Sequence, residues 1–246
     1  MIRLCIIGNS HVAALKHASA EFCARHQDIQ LGFFAAHSNK TRDLAVQDGC
    51  YRPQSEALAE QIALTSRGLR EIDPKSWDAF LVYGFSRRPH PSDFTTGLSR
   101  SFRRAVFAER IAQSLLPRHL AALRSLSEAP LFAALTPLPA PSGSGRRRRL
   151  LRHPDEVTVV QSTCCDARRA ILVPQPEKTV LNGLFTRPEY SVGSAPLDDV
   201  EKFRGSEHDS NETRHMNDAY GLLWLEAFAP LLRSALAPTD APQPTP

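Results

Sequence analysis

A serine near the start of the chain and a histidine near its end are residue types that carry acyl-transfer chemistry. The apolar run IRLCII (2–7) is followed by Gly8-Asn9-Ser10-His11, so Ser10 stands where a buried strand ends and a helix begins. A serine hydroxyl attacks an ester carbonyl only when a base takes its proton. Backbone N–H groups at a helix start can stabilise the oxyanion that forms. The position therefore suits a nucleophile, and its alternative role is that of a helix cap.

The base that Ser10 requires has one well-placed candidate among the nine histidines of the chain. The segment SNETRHMNDAYG (210–221) puts Glu212 three residues before His215, directly ahead of the last helical stretch. In a turn or helix start, this carboxylate can accept from one imidazole nitrogen while the other nitrogen faces the serine. Asp209, six residues before His215, is a second candidate for the acid, and the sequence does not decide between the two carboxylates.

The elements that must position these residues alternate between strand-like and helix-like patterns. Strands are predicted over 2–7, 29–35, 78–84, 130–137 and within 167–176, and helices over 11–25, 55–72, roughly 100–126 and 217–236. This alternation predicts βαβ crossovers and a mainly parallel sheet. Ligands of such sheets bind at the carboxyl ends of the strands, where Ser10 is expected.

Two short motifs resemble those of a known superfamily. GNSH (8–11) resembles the first block of the SGNH/GDSL hydrolases, whose commonest form is Gly-Asp-Ser, and ETRH (212–215) resembles their last block, Asp-x-x-His. The continuation MNDAYG (216–221) is similar to a bacterial, polysaccharide-associated branch of the group. The resemblance implies an α/β fold, a three-layer α/β/α sandwich with a mainly parallel central sheet, SGNH/flavodoxin-like.

The resemblance also implies roles for individual residues. Ser10 would be the nucleophile, His215 the general base and then the general acid, and Glu212 the acid that orients the imidazole. The oxyanion hole would use the N–H of Ser10, a glycine of a second block, for which Gly49 is the candidate, and an asparagine of a third block. The third strand ends Tyr83-Gly84-Phe85-Ser86, so Ser86 stands where the family usually has that asparagine.

Substrate contacts are predicted from Asn9, His11 and Arg87, which flank the expected site. Arg87 suits an anionic group, and its alternative is a solvated loop charge. The family branch implies a serine esterase that hydrolyses or transfers a small acyl group, acetyl, on a small-molecule or carbohydrate ester, without metal or other cofactor. The missing third-block asparagine favours the alternative, a catalytically silent protein that binds a glycan or a partner.

Length and charge bound the remaining expectations. A chain of 246 residues, 42% of them hydrophobic, predicts one SGNH-hydrolase-like domain over 1–236, an exposed Pro/Arg-rich loop near 137–152 and a disordered tail over 237–246. The net charge of +4 is too small to indicate nucleic-acid binding. The four arginines at 146–149 are therefore interpreted as a solvated insertion rather than a polyanion site.

The cysteines and the lengths of the apolar segments predict in which cellular compartment the protein lies. Five cysteines form an odd number without framework spacing, which is typical of a reducing compartment, and the adjacent Cys164 and Cys165 lack further metal ligands nearby. No apolar run reaches the roughly 18 residues of a membrane span, nor the length that a signal peptide needs. The sequence thus predicts a cytoplasmic protein without a membrane partner, and it leaves the oligomeric state open.

Overall fold

The computed structural model describes residues 1–37, 39–86, 97–141, 151–197 and 212–237. Strands β1 to β9 span, in order, Ile2–Gly8, Ile29–Ala35, Leu44–Gln47, Cys50–Pro53, Ala79–Tyr83, Leu131–Ala134, Ala170–Val173, Val180–Leu181 and Phe185–Thr186. Helices α1 to α6 span Ala13–Arg25, Glu56–Ser66, Arg100–Ala112, Leu115–Leu126, His153–Val160 and Asp218–Leu236.

The central sheet has five strands in the order β2-β1-β5-β6-β7, and every neighbouring pair is parallel. Strands β5 and β6 are apolar along their whole length, and β1 is apolar from Leu4 to Ile7, because both faces of the sheet are covered. Gly8, at the end of β1, lies opposite Ala35 of β2 and Tyr83 of β5, so these three strands end at one edge. The predicted mainly parallel sheet is confirmed.

Helices cover the two faces of the sheet as separate layers. Alternate residues of β1 face opposite sides: Leu4 joins a core cluster with α1 and α6, and Cys5 joins a second cluster with α2 to α5. Helix α6 approaches α1 so closely that a Cβ on Gly221 would lie 1.9 Å from the carbonyl oxygen of Ala14. The architecture is therefore the predicted three-layer α/β/α sandwich.

Two predicted helices differ from the structure by more than two residues. The helix expected over 55–72 ends at Ser66, because Arg67 and Gly68 adopt the left-handed conformation (φ 64° and 99°) that stops a helix. The helix expected over roughly 100–126 is two helices, α3 and α4. The Ser114 hydroxyl caps α4 by accepting a hydrogen bond from the N–H of Leu116 at 3.3 Å.

Several elements were not predicted from the sequence. The antiparallel hairpin β3-β4 turns at Asp48-Gly49, where both residues have positive φ. No element was predicted where the short hairpin β8-β9 and helix α5 lie. The arginines at 146–149, most of the predicted 137–152 loop and the tail from 238 lie outside the described residues.

The cysteines of the described ranges are free thiols. Cys164 and Cys165 are buried between α5 and β7, and burial raises the pKa of their thiols to about 11 and about 12. Few thiolates therefore form there at neutral pH. In the part of the chain that the structure describes, no three potential metal-binding side chains cluster, and no helix is both long and apolar enough to cross a membrane.

Candidate active site

Ser10 is held at the carboxyl end of β1 by the side chain of the residue before it. It begins a short 3₁₀ turn, Ser10–Val12, that leads into α1. The Asn9 carboxamide oxygen accepts a hydrogen bond from the N–H of His11 at 3.1 Å, and its Nδ2 donates to the carbonyl oxygen of Gly84 at 2.7 Å. Asn9 thereby ties the turn that carries Ser10 to the end of β5.

The segment before α6 brings an imidazole to this serine. His215 Nε2 lies 3.1 Å from Ser10 Oγ, within hydrogen-bond reach, although the residues are 205 apart in sequence. On the other side of the ring, Glu212 Oε2 lies 3.5 Å from His215 Nδ1. These side chains are mostly covered, with exposed fractions of 19% for His215 and 25% for Glu212. An imidazole so placed can take the proton of the serine while the carboxylate faces its other nitrogen.

The charge of Glu212 is set by competing effects. Burial acts to raise the pKa of its carboxyl group, but hydrogen bonds from the backbone N–H groups of Arg214 and His215 and the charge of the His215 ring outweigh it. The net result is a pKa below the ordinary value of 4.5. Glu212 is therefore a carboxylate at neutral pH, which is the form that can stabilise an imidazolium.

Asn217 fixes the turn that carries His215, a role that the sequence reasoning did not assign. Its side-chain oxygen caps α6 by accepting from the N–H of Tyr220 at 3.1 Å. Its Nδ2 donates to the carbonyl oxygens of Glu189 and Val192, at 2.8 Å each. The sequence carries the signal, since Asn217 stands at the start of the last predicted helix and asparagine is a strong cap.

His11 packs against the imidazole of His215. The two rings are stacked, with centroids 4.9 Å apart and planes at 24°. This contact lies beside Ser10 and restricts the orientation of the His215 ring. His11 was predicted as a substrate contact, and its position makes it also a support for the histidine.

Replacement of His11 tests this support. For the esterase activity that the two sequence motifs imply, we expect His11→Ala to lower kcat about tenfold, because His215 loses the ring that limits its rotation and serine-base geometry is sensitive to small displacements. His11→Phe keeps a stacking ring and should retain most of the activity. Steady-state kinetics of both variants measure the effect. Equal losses in the two variants would assign the role to the polar atoms of His11 instead.

Gly84 permits the close contact between β5 and Asn9. Its φ is +87°, and a Cβ there would lie 2.7 Å from the side-chain oxygen of Asn9. Both the backbone conformation and the space thus require glycine. The same residue's carbonyl oxygen accepts from Asn9 Nδ2, so any shift at Gly84 is transmitted to the Ser10 turn.

Replacement of Gly84 by alanine should therefore destabilise the fold and impair the site together. Gly68→Ala is the matched control, since Gly68 also has positive φ (+99°) but has open space around it. Backbone strain of this kind costs about 1–3 kcal/mol. The control variant measures this strain without any steric clash. We expect Gly84→Ala to lower the free energy of unfolding, measured by urea denaturation, by more than the control does. Equal values would show that Asn9 moves aside without cost.

The three residues considered for the oxyanion hole have different surroundings. Within the described ranges, the N–H of Ser10 donates to no acceptor and so stays available. Ser86 is nearly buried, and its hydroxyl oxygen accepts a hydrogen bond from the N–H of Thr136 at 2.8 Å. That contact joins the segments after β5 and β6, so the structure gives Ser86 a structural partner.

Gly49 is not brought into contact with Ser10 by any interaction that the structure describes. It lies in the exposed turn of the β3-β4 hairpin, with φ +75° and no heavy atom within 4 Å of the position of a Cβ. The residue that follows β2 is Ala36, at the sheet edge that carries Ser10. Its N–H donates a hydrogen bond to the carbonyl oxygen of Gly8 at 3.4 Å. The substrate-contact candidate Arg87 and the alternative acid Asp209 lie outside the described residues.

A serine after the first strand and a histidine before the last helix meet at one edge of a parallel sheet, as the two sequence motifs imply. No known family model matches the sequence, and no curated protein matches it.

Solved structures similar to this chain are remote in sequence. The crystal structure of a carbohydrate acetylesterase family member from Sinorhizobium meliloti is 10% identical, with a TM-score of 0.47 over 97% of this chain and 100% of that one. The crystal structure of a DUF4886 family protein from Bacteroides uniformis is 13% identical, with a TM-score of 0.46 over 100% of this chain and 89% of that one. The structure of the inhibitor-bound M. smegmatis aryl esterase is 10% identical, with a TM-score of 0.39 over 96% of this chain and 100% of that one.

Proposed function

We propose that this protein is a serine esterase that hydrolyses or transfers a small acyl group, acetyl, on a carbohydrate ester. The observation that carries the proposal is the 3.1 Å approach of His215 Nε2 to Ser10 Oγ, with the Glu212 carboxylate on the far side of the ring. A hydroxyl at this distance from an imidazole can lose its proton as it attacks. The carbohydrate acceptor rests on the similarity of MNDAYG (216–221) to the polysaccharide-associated branch.

The proposed reaction has two halves. In the first, Ser10 Oγ attacks the ester carbonyl while His215 Nε2 takes its proton, and the resulting oxyanion lies near the N–H of Ser10. Collapse of this intermediate breaks the bond to the alcohol, which receives the proton from His215 and leaves an acyl group on Ser10. In the second half, water or another alcohol attacks the acyl group as His215 takes its proton, and His215 then returns this proton to Ser10 Oγ as the bond to the acyl group breaks.

The neighbouring side chains have supporting roles in this proposal. Glu212 would keep the proton of the imidazole on Nδ1 and stabilise the imidazolium that forms at each step. Asn9 uses both polar atoms of its carboxamide to hold the Ser10 turn, which supports a positioning role rather than the substrate contact predicted from the sequence. His11 and Arg87 remain the proposed substrate contacts, and Ser86 and Gly49 remain the proposed further oxyanion donors.

A second candidate is a catalytically silent protein that binds a glycan or a partner at the same edge. The Ser86 hydroxyl is buried and its oxygen accepts from the N–H of Thr136, which leaves its own hydrogen to donate, and Gly49 lies in an exposed hairpin turn. If neither reaches the oxyanion, the N–H of Ser10 acts alone, and loss of one donor costs about 10²–10³ in turnover. This observation favours the silent alternative and makes catalysis the property to test.

The deciding experiment combines covalent labelling with turnover. The purified chain is incubated with a fluorophosphonate probe, digested and examined by mass spectrometry, and p-nitrophenyl acetate hydrolysis is followed in parallel. We expect the label on Ser10 alone and measurable hydrolysis, both unchanged in Ser101→Ala, a control at an exposed serine of α3. Absence of both label and hydrolysis would overturn the esterase proposal and favour the silent binding protein.

A further inference from the structure

A cavity of about 620 Å³ lies between the first turns of α3 and α5, and it shares no residue with the Ser10 site. Its charged lining comes from Arg100, Arg103, Arg152 and Asp155. Leu151 and Leu184 belong to its apolar lining. The volume is in the range of cavities that hold small molecules.

Among the described lining residues, Asp155 is the one acidic group, and arginines already neutralise it. Asp155 Oδ1 accepts hydrogen bonds from Arg100 Nη2 at 2.5 Å and from Arg104 Nη1 at 3.2 Å. The Asp155 side chain is 15% exposed, so these two guanidinium groups cover most of it. Positive charge therefore exceeds negative charge around the cavity.

Two arginines of the lining have no acidic partner among the described residues. Across the described ranges, the side chains of Arg103 and Arg152 take part in no hydrogen bond or ion pair. Arg103 is half-buried on the face of α3 that also carries Arg100 and Arg104, and Arg152 directly precedes α5. The lining thus holds three arginines and one carboxylate, and a bound anion would offset this excess of positive charge.

The arginine side chains of the cavity favour a ligand with a carboxylate or phosphate group. A guanidinium group presents a planar fork of N–H donors that matches carboxylate and phosphate oxygens. The cavity also lies at the N-terminal ends of two helices, whose dipoles favour negative charge. We propose that it binds a small organic anion, whose carboxylate or phosphate group contacts Arg103 and Arg152 while its apolar part lies against Leu151 and Leu184. This proposal does not depend on the proposed esterase activity.

Calorimetric titration of the full chain tests the site with three probes: inorganic phosphate, galacturonate and, as the neutral match of the latter, galactose. We expect binding of at least one anion and none of galactose. The double variant Arg103→Gln/Arg152→Gln should weaken anion binding at least about tenfold, since hydrogen bonds to charged groups are among the strong ones. Rising sodium chloride should weaken the binding of the unmodified chain as well.

Two further variants keep the result interpretable. Arg42→Gln removes the same charge from an exposed arginine outside the cavity and should leave binding unchanged. Arg152→Gln alone changes an exposed side chain that caps no helix N–H, so it serves if the double variant does not fold. Phosphate binding without galacturonate assigns a phosphate ligand, and the reverse assigns a carboxylate. Absence of anion binding, or equal weakening by Arg42→Gln, would overturn the proposal.

Discussion

Replacement of Ser10 by alanine is expected to lower kcat for p-nitrophenyl acetate hydrolysis by about 10⁴-fold or more, because the attacking atom is removed. His215→Ala should produce a loss of similar size, since the hydroxyl then has no base at 3.1 Å. The double variant should be no worse than either single variant. Residues that act as one unit show such non-additive losses, because removing either already disables the whole reaction path.

This comparison requires that the fold survive the changes. Ser10 and His215 are half-buried at the sheet edge rather than in the core, so circular dichroism and the urea midpoint should stay close to those of the unmodified chain. Ser101→Ala reports the effect of a serine change elsewhere. Hydrolysis that persists in both single variants would exclude this pair as the catalytic unit. Additive losses in the double variant would show instead that the two residues act independently.

The fold could be predicted largely because its strands are buried on both faces. The near-continuous apolar runs of β1, β5 and β6 and the strong pattern of α6 leave few alternatives for a chain of this length. The β3-β4 hairpin gives no such signal, because its strands have four residues each and are partly exposed. The break between α3 and α4 depends on a single serine cap, which the periodic pattern hides.

The site was predictable where residue type alone limits the choice. Ser10 and His215 stand at the two ends of the chain, and they meet because a parallel sheet brings the end of β1 and the start of α6 to one edge. The oxyanion donors were harder to predict, since they are backbone N–H groups that any residue can supply. Gly49, which the residue type suggests, lies in the β3-β4 hairpin turn, and Ala36 is the residue that follows β2 and contacts Gly8.

Replacement of Glu212 by glutamine has the second largest expected effect. The change keeps the shape of the side chain but removes the charge 3.5 Å from His215 Nδ1, so the imidazolium that forms during the reaction loses its counterion. We expect kcat to fall about 10²–10⁴-fold, the upper figure being typical of triads with close contact between acid and histidine. Glu212→Asp is the matched variant. It keeps the charge on a shorter side chain and should lose less.

The pH dependence separates this role from a merely structural one. Without the carboxylate, protonation of His215 becomes less favourable, so the acid limb of the kcat/KM profile should move to lower pH in Glu212→Gln. An unchanged profile would assign Glu212 to the turn alone and direct attention to Asp209 as the acid.

The ionised carboxylate of Glu212 should also make the unfolding free energy of the protein depend on pH. Because the pKa of Glu212 is lowered in the folded protein, its ionised form stabilises the fold above its ordinary value of 4.5, and this contribution is lost as the pH falls below that value. The difference in unfolding free energy between the unmodified chain and Glu212→Gln should therefore be largest at neutral pH and shrink in acid. A difference that is constant with pH would mean that the charge of Glu212 contributes nothing to the turn. The hydrogen bond from the Arg214 N–H would then be held equally well by an amide oxygen.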